Sequence, residues 1–158
     1  MDDVVRRALA KWPDVPDVYG WLSLDRRGNF LIRNEKIGNR ALREFISRNY
    51  RPDTRGRWYF QNGPQRVFVA LAYTPLVLHE EDGALSDHCG RRFYSEQMFL
   101  DDEGSLLMHG ANGIGLLDDR DLMRFAGRAR GLPVIARHAV AHRFGFVANP
   151  TLETGPPS

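Results

Sequence analysis

Six arginines in the first half of the chain, Arg26, Arg27, Arg40, Arg43, Arg55 and Arg57, are the residues best suited to chemistry with a ligand. A guanidinium offers a planar fork of donors that matches carboxylate and phosphate oxygens. Residues 1–79 carry 14 Lys+Arg against 8 Asp+Glu, a net of +6, and residues 80–158 carry 8 against 12, a net of −4. The six arginines thus define a candidate surface for a small anionic ligand in a basic half that faces an acidic one in sequence. Either half is equally well explained as an ordinary solvated surface, and the excess of arginine over lysine, 20 to 2, fits a genome bias as well as a binding function.

A metal centre is the second chemical possibility. His138 and His142 stand four apart, which puts both imidazoles on one face of a helix or of a strand. Zinc sites use such pairs, and a third ligand would have to come from His79, His88, Cys89 or His109. With an acidic residue of the second half, this set would make a metal-dependent hydrolase. No Glu follows His138, so the metalloprotease form of the motif is absent, and no metal ligand set is assigned. Cys89 beside His88 suggests a nucleophile and its base, but neighbouring residues of a strand point to opposite faces. Arg55, Arg57, Trp58, Tyr59 and Phe60 interleave cations with rings, as single-stranded nucleic acid binders do, although one face of that strand is expected in the core.

Asp-x-x-Gly recurs at Asp25, Asp53 and Asp101. Turn geometry alone asks for aspartate first and glycine last, so these carboxylates are read as structural before they are read as acid–base groups. The Asp101-Asp102-Glu103 cluster lacks the longer ligand set of a calcium loop. Gly-x-Ser-x-Gly, the phosphate-binding Gly-Lys-Ser/Thr loop and the dinucleotide fingerprint are all missing, and Gly110–Gly115 does not match any of them. The constellations therefore point to no cofactor and away from an enzyme, toward a binding or signalling module for a small anionic ligand or a protein partner.

The elements that must position these residues carry a repeat. Leu24-Asp25-Arg26-Arg27-Gly28-Asn29-Phe30-Leu31-Ile32 aligns without a gap on Leu100-Asp101-Asp102-Glu103-Gly104-Ser105-Leu106-Leu107-Met108. Ile37-Gly38 and Ile114-Gly115 follow, then helical patterns keyed by Leu42 and Phe45, and by Leu122 and Phe125. The expected fold class is α+β: two similar hairpin–helix units, each a curved antiparallel sheet packing one helix. A basic lobe spans 1–79, an acidic lobe spans 80–148 with Glu80–Gly83 as the boundary, and a disordered tail spans 149–158.

Helices are expected over Asp3–Lys11, 39–50 capped by Asn39, and 118–129 capped by Asp118 or Asp119 with Leu122, Met123, Phe125 and Ala126 inward. Strands are expected over Tyr19–Leu24, Asn29–Arg33, Arg57–Gln61, Gln65–Tyr73, Ala84–Asp87 and Arg92–Tyr94. Asn62-Gly63 marks a hairpin, His109–Gly113 a loop, and Val134–Val147 a last hairpin. Apolar residues on both faces mark Gln65–Tyr73 as a central strand. Val134–Val147, apolar and poor in acidic residues, is the candidate for edge pairing, and with the unlike charges of the lobes it suggests a homodimer. A single cysteine excludes an internal disulfide and suits a reduced, cytoplasmic setting. No apolar run reaches membrane-helix length and no signal peptide is visible, so no membrane partner is expected.

The run Trp-Leu-Ser-Leu-Asp-Arg-Arg-Gly-Asn-Phe at 21–30, Ile37-Gly38, Leu42 and Phe45, Asp53-x-x-Gly56-Arg57-Trp58-Tyr59 and the strand ending Tyr73-Thr74-Pro75 resemble domain of unknown function 1285, an uncharacterised bacterial family. The resemblance covers about residues 18–78, and Ala72-Tyr73-Thr74-Pro75 lacks the acidic residue usual before that proline. The opening Trp12 to Trp21 is similar to short proteobacterial proteins of no known role. The resemblance implies an α+β fold with repeated hairpin–helix units and no established activity; it carries over no catalytic residue.

Overall fold

The computed structural model describes residues 1–151, which group into two units. Among the described residues, the first comprises Met1–Asp25, Asn29–Ala72 and 146–151, and the second comprises Arg26–Gly28 and Tyr73–Gly145. The boundary falls between Ala72 and Tyr73, next to Pro75, and not at Glu80–Gly83. That polar turn closes a hairpin inside the second unit. Of the segment 149–158, Pro150 is buried and residues 152–158 lie outside the described residues.

The first unit holds helix α1 (Asp3–Lys11), strands β1 (Val18–Leu24), β2 (Phe30–Ile32) and β3 (Glu35–Lys36), helix α2 (Arg40–Arg48), and strands β4 (Tyr50–Pro52), β5 (Trp58–Asn62) and β6 (Gln65–Leu71). They form a six-stranded sheet in the order β3-β2-β1-β6-β5-β4. β6 is central, as its two apolar faces require: Val67, Phe68, Val69 and Leu71 are all buried. Asn39 caps α2, its side chain accepting from the Leu42 amide at 2.9 Å. At the other end of α2, buried Asn49 donates to the Phe45 carbonyl, accepts from the Asp2 amide and, through its own carbonyl, takes the Gln61 amide of β5. One residue thereby ties both helices to the sheet.

The second unit holds β7 (Leu76–Glu81), β8 (Ala84–Asp87), β9 (Arg92–Phe93), β10 (Gln97–Asp101), β11 (Leu106–Gly110), β12 (Gly113–Leu117) and β13 (Val134–Ile135), with a 3-10 helix at Asp119–Phe125 and a short helix α3 (Val140–Phe144). Their order is β13-β10-β11-β12-β7-β8-β9. The expected last hairpin is absent. Val134–Ile135 pairs in parallel with β10, and the alanine-rich run behind it winds into a helix closed by Gly145 in the left-handed conformation. The expected loop at His109–Gly113 shrinks to two residues. Its neighbouring glycines sit in strands because the strands crowd there: a Cβ on Gly115 would lie 2.7 Å from Leu78 Cγ. Met123, expected inward, is 84% exposed, because three residues per turn leave Leu122 and Phe125 on one face and Met123 off it.

The two units share a strand order, but not in the phase of the sequence alignment. Each sheet contains two three-stranded antiparallel meanders joined by a parallel pair, β1 with β6 and β7 with β12, and the second sheet adds β13 in parallel at the β10 edge. β1 to β6 therefore match β7 to β12 in order and pairing. Position in the sheet equates the Asp101 turn with the Asp53 turn, not with the Asp25 turn that it copies in sequence. Leu24–Phe45 and Leu100–Phe125 share a hairpin, a third strand and a helix. They differ in which strand joins the two meanders, the first strand β1 in one and the third strand β12 in the other. The sheets are accordingly mixed rather than wholly antiparallel.

The turn glycines give a test. Gly28 and Gly104 have φ of 86° and 85°, so alanine meets the same left-handed strain, about 1–2 kcal/mol, at either position. A Cβ on Gly28 would also lie 2.7 Å from His88 Cβ, whereas nothing lies within 4 Å of one on Gly104. Gly28→Ala is expected to lower the free energy of urea unfolding by more than Gly104→Ala does. Equal losses would show that the crowding at Gly28 is relaxed by movement of its neighbours.

Candidate functional site

The aspartates of the turns are committed to the backbone. In the Asp25 turn Oδ1 accepts the Asn29 amide at 2.8 Å, and in the Asp53 turn it accepts the amides of Arg55 and Arg57, both at 2.9 Å. The Asp101 carboxylate takes the amides of Glu103 and Ser105 at 2.9 and 2.8 Å. A further turn of the same build, Asp87–Gly90, takes those of Cys89 and Arg91 at 2.9 and 3.0 Å. Sequence reading missed it, although its Asp-x-x-Gly signal stands in plain view around His88-Cys89. The second oxygens are occupied as well, by Asn29 Nδ2, Arg57 Nε, Arg91 Nε and the Tyr73 hydroxyl.

The six arginines separate. Arg57 is buried, 2% exposed at its side chain, with its guanidinium 2.6 Å from Asp53 and over the Phe68 ring at 4.6 Å. Burial alone would raise the Asp53 carboxyl, but the Arg57 amide and guanidinium outweigh it and hold the carboxyl below its usual range. Arg57 therefore adds no exposed charge. Arg40 pairs with Glu44 one turn along α2, and Arg43 lies exposed on the same helix. Arg55 gives its amide to the Asp53 turn and stays exposed. Trp58, Tyr59 and Phe60 are buried alongside Arg57, so they present no stacking surface to a nucleic acid.

Arg26 and Arg27 come together in the second unit, on a cavity of about 430 Å³. Its floor is Leu106, Leu116, Leu117 and Leu122, and its rim is Arg26, Arg27, Ser105, Glu103 and Asp119. Arg26 is fixed from two sides: its Nη2 donates to Ser105 Oγ at 3.0 Å, and its guanidinium lies 5.0 Å over the Tyr73 ring. Tyr73 is itself anchored, with its hydroxyl 2.8 Å from buried Asp101 Oδ2 and Arg137 stacked on its ring at 5.0 Å. Burial first, and then the hydrogen bond to Asp101, push the phenol well above its ordinary value of 10, while the two guanidiniums pull less strongly the other way. Arg27 meets Asp119 at a loose 3.8 Å, with both side chains more than half exposed. Glu103 is held by Arg137 at 2.9 Å.

Behind the cavity rim, Asp118 caps the 3-10 helix. It is almost completely buried, accepts from the Arg120 amide and guanidinium, and lies 3.2 Å from His79 Nδ1. His138 and His142 are both exposed on the short helical turns near the end of the second unit. Among the described residues, no three His, Cys, Asp or Glu side chains converge in a way that could hold a metal ion. Among the same residues, no helix is long and apolar enough to cross a membrane.

Comparison with known proteins shows the family and the fold. A family model, DUF2944, described as a protein of unknown function (DUF2946), matches residues 1–132. No curated protein matches with significance. Among solved structures, a DUF1285 family protein from Silicibacter pomeroyi DSS-3 superposes with a TM-score of 0.54 at 16% identity, over 79% of this chain and 83% of that one. A second, from Shewanella baltica OS155, superposes with a TM-score of 0.50 at 14% identity, over 67% of this chain and 90% of that one. At such identities the likeness shows the fold alone. It extends the resemblance seen around residues 18–78 to most of the chain.

Asp118 can be tested directly. Burial favours its protonated form, but Arg120 prevails and holds its pKa at about 2, below the usual 3.8. A carboxylate depressed in the folded state contributes stability above its unfolded pKa and loses that contribution as pH falls toward the folded value. Asp118→Asn keeps a side-chain oxygen for the cap but removes the charge paired with Arg120, and is expected to destabilise the protein at pH 7 by about 1 kcal/mol, the upper end for an ion pair open to solvent on one side. Its deficit should shrink between pH 4 and pH 2 in denaturant titrations. A deficit independent of pH would show that the charge of Asp118 contributes nothing.

Proposed function

The chain belongs to the DUF2944 family, and on that premise we propose that it is a binding protein, not an enzyme, for a small anion with an apolar body. The observation that carries this reading is the pair Arg26 and Arg27 over a leucine floor. Arg26 is pre-set, its guanidinium held by Ser105 and the Tyr73 ring, so little side-chain freedom is lost when an anion arrives. Arg27 is exposed on the rim, and its ion pair with Asp119 is loose. An exposed ion pair at 3.8 Å contributes about 0–1 kcal/mol, so a ligand carboxylate can replace Asp119 at little cost. The floor of Leu106, Leu116, Leu117 and Leu122 then covers the apolar body of the ligand, each buried methylene contributing about 0.8 kcal/mol.

Glu103 and Asp119 on the rim set the charge limit. They oppose a strongly charged ligand such as a polyphosphate and favour a single carboxylate. A thermal-shift panel of hexanoate, benzoate and inorganic phosphate tests this. The carboxylates are expected to raise the melting temperature and phosphate to leave it unchanged. The double variant Arg26→Ala/Arg27→Ala should weaken carboxylate binding at least about tenfold, near 1.4 kcal/mol. A carboxylate shift that survives the double variant, or turnover of any bound compound, would overturn the proposal.

A further inference from the structure

A second cavity, of about 440 Å³, lies wholly in the first unit, between α2 and the sheet. Leu22, Ile32, Phe45 and Phe60 are among its walls, and Asn62 and Gln65 are the polar side chains that line it. None of its lining residues is ionisable. Phe45 of α2 meets Phe60 of β5 edge to face, with ring centroids 5.4 Å apart, a contact that fixes the helix over the sheet on one side of the space. The volume falls within the range of small-molecule sites, and a core of this chain's size has no packing need for such a void.

The mouth is built rather than left over. β1 pairs with β6 through Val18↔Val67 and Leu22↔Val69, so four steps along β1 span two along β6. The bulge centres on Gly20, at φ 75°, a conformation that side chains rarely adopt. It aims Trp21 at the cavity and leaves that ring 46% exposed. Arg33 holds Trp21 in place: its amide donates to the Trp21 carbonyl at 3.0 Å, and its guanidinium lies 5.1 Å over the indole. Arg33 does this from a left-handed conformation, φ 49°, unusual for a residue with a side chain. Opposite it, Leu42 of α2 is 36% exposed. A bulge, a left-handed arginine and two half-exposed large apolar residues all converge on one opening.

We propose that this cleft is a binding site for a neutral aromatic small molecule, distinct from the anion cavity of the second unit. Neutrality follows from the lining. A charged group taken from water into this space would find no opposite charge among its lining residues, since Arg33 lies over the indole and does not line the space. Aromatic character follows from the walls, since Trp21, Phe45 and Phe60 offer ring faces and edges to a planar guest. Asn62 and Gln65 supply the polar groups that would orient one hydroxyl or amide of that guest.

The test uses the full chain and the neutral dye N-phenyl-1-naphthylamine, whose fluorescence rises in apolar surroundings. Saturable one-to-one binding is expected, with the anionic dye 1-anilinonaphthalene-8-sulfonate at least about tenfold weaker. Leu42→Arg places a charge at the mouth and should weaken the neutral dye at least tenfold while the melting temperature stays near that of the parent. Should that variant fold poorly, Trp21→Ala supplies the same reading from the other wall. Equal binding of the two dyes, or unchanged affinity in both variants, would overturn the proposal. So would a dye affinity that falls as protein concentration rises alongside dimer formation in light scattering, because a second copy would then be the occupant. Arg26→Ala/Arg27→Ala should leave dye binding unchanged, which separates this site from the anion cavity.

Discussion

The carboxylate of an aspartate, closed over the amides of its own turn, is the contact on which both units rest. A hairpin that turns through Asp-x-x-Gly leaves amides pointing inward with no strand to receive them. An aspartate at the first position supplies the missing acceptor, and glycine at the fourth supplies the left-handed step. The same geometry at Asp25, Asp53, Asp87 and Asp101 fixes the register of the strand pair that each turn joins. The second carboxylate oxygen is where the turns diverge. Asp53 and Asp87 spend it on an arginine four residues on, and Asp101 spends it on Tyr73. One of these turns thus builds a buried ion pair of the core, and another sets the ring on which Arg26 rests.

Local features were legible in the residues, and long-range ones were not. Asn39, Asp118 and the Asp-x-x-Gly turns announce themselves because their partners lie within four residues. The central position of β6 was readable from its two apolar faces. β7 went unread, because Thr74-Pro75 breaks the apolar run before it, and Leu76 to Leu78, fully buried, lack the alternation of a half-exposed strand. β12 went unread because glycine signals a loop to a sequence reader, whereas here Leu78 leaves room for nothing larger at Gly115. Alanines and Gly145 ended α3 by the usual rules, but the β-branched residues around them suggested strands.

The sites were legible in part for the same reason. Composition points to arginine without saying which guanidiniums are spent on the fold. Arg57, Arg40 and Arg27 are alike in sequence, and only their partners distinguish a buried pair, a helix-surface pair and a loose exposed one. The apolar cleft left no signal at all in the residues, since a wall of leucine, isoleucine and phenylalanine reads as ordinary core. Its one local mark was Gly20 within an otherwise regular strand, and a lone glycine there takes meaning only from the bulge that it permits.

The return of the chain to the first unit at Phe146 bears on how the protein is made. The Val147 amide donates to the Gly56 carbonyl, the Leu71 amide donates to the Ala148 carbonyl, and Arg57 bridges to Val147. These bonds close the ends of strands synthesised long before their partners emerge from the ribosome. Meanders form from neighbouring residues and can assemble as they appear, but the first unit waits for the whole of the second to be translated before its last backbone groups are paired. During that interval the first half of the chain is the more exposed to proteases and chaperones, although it is the first to leave the ribosome.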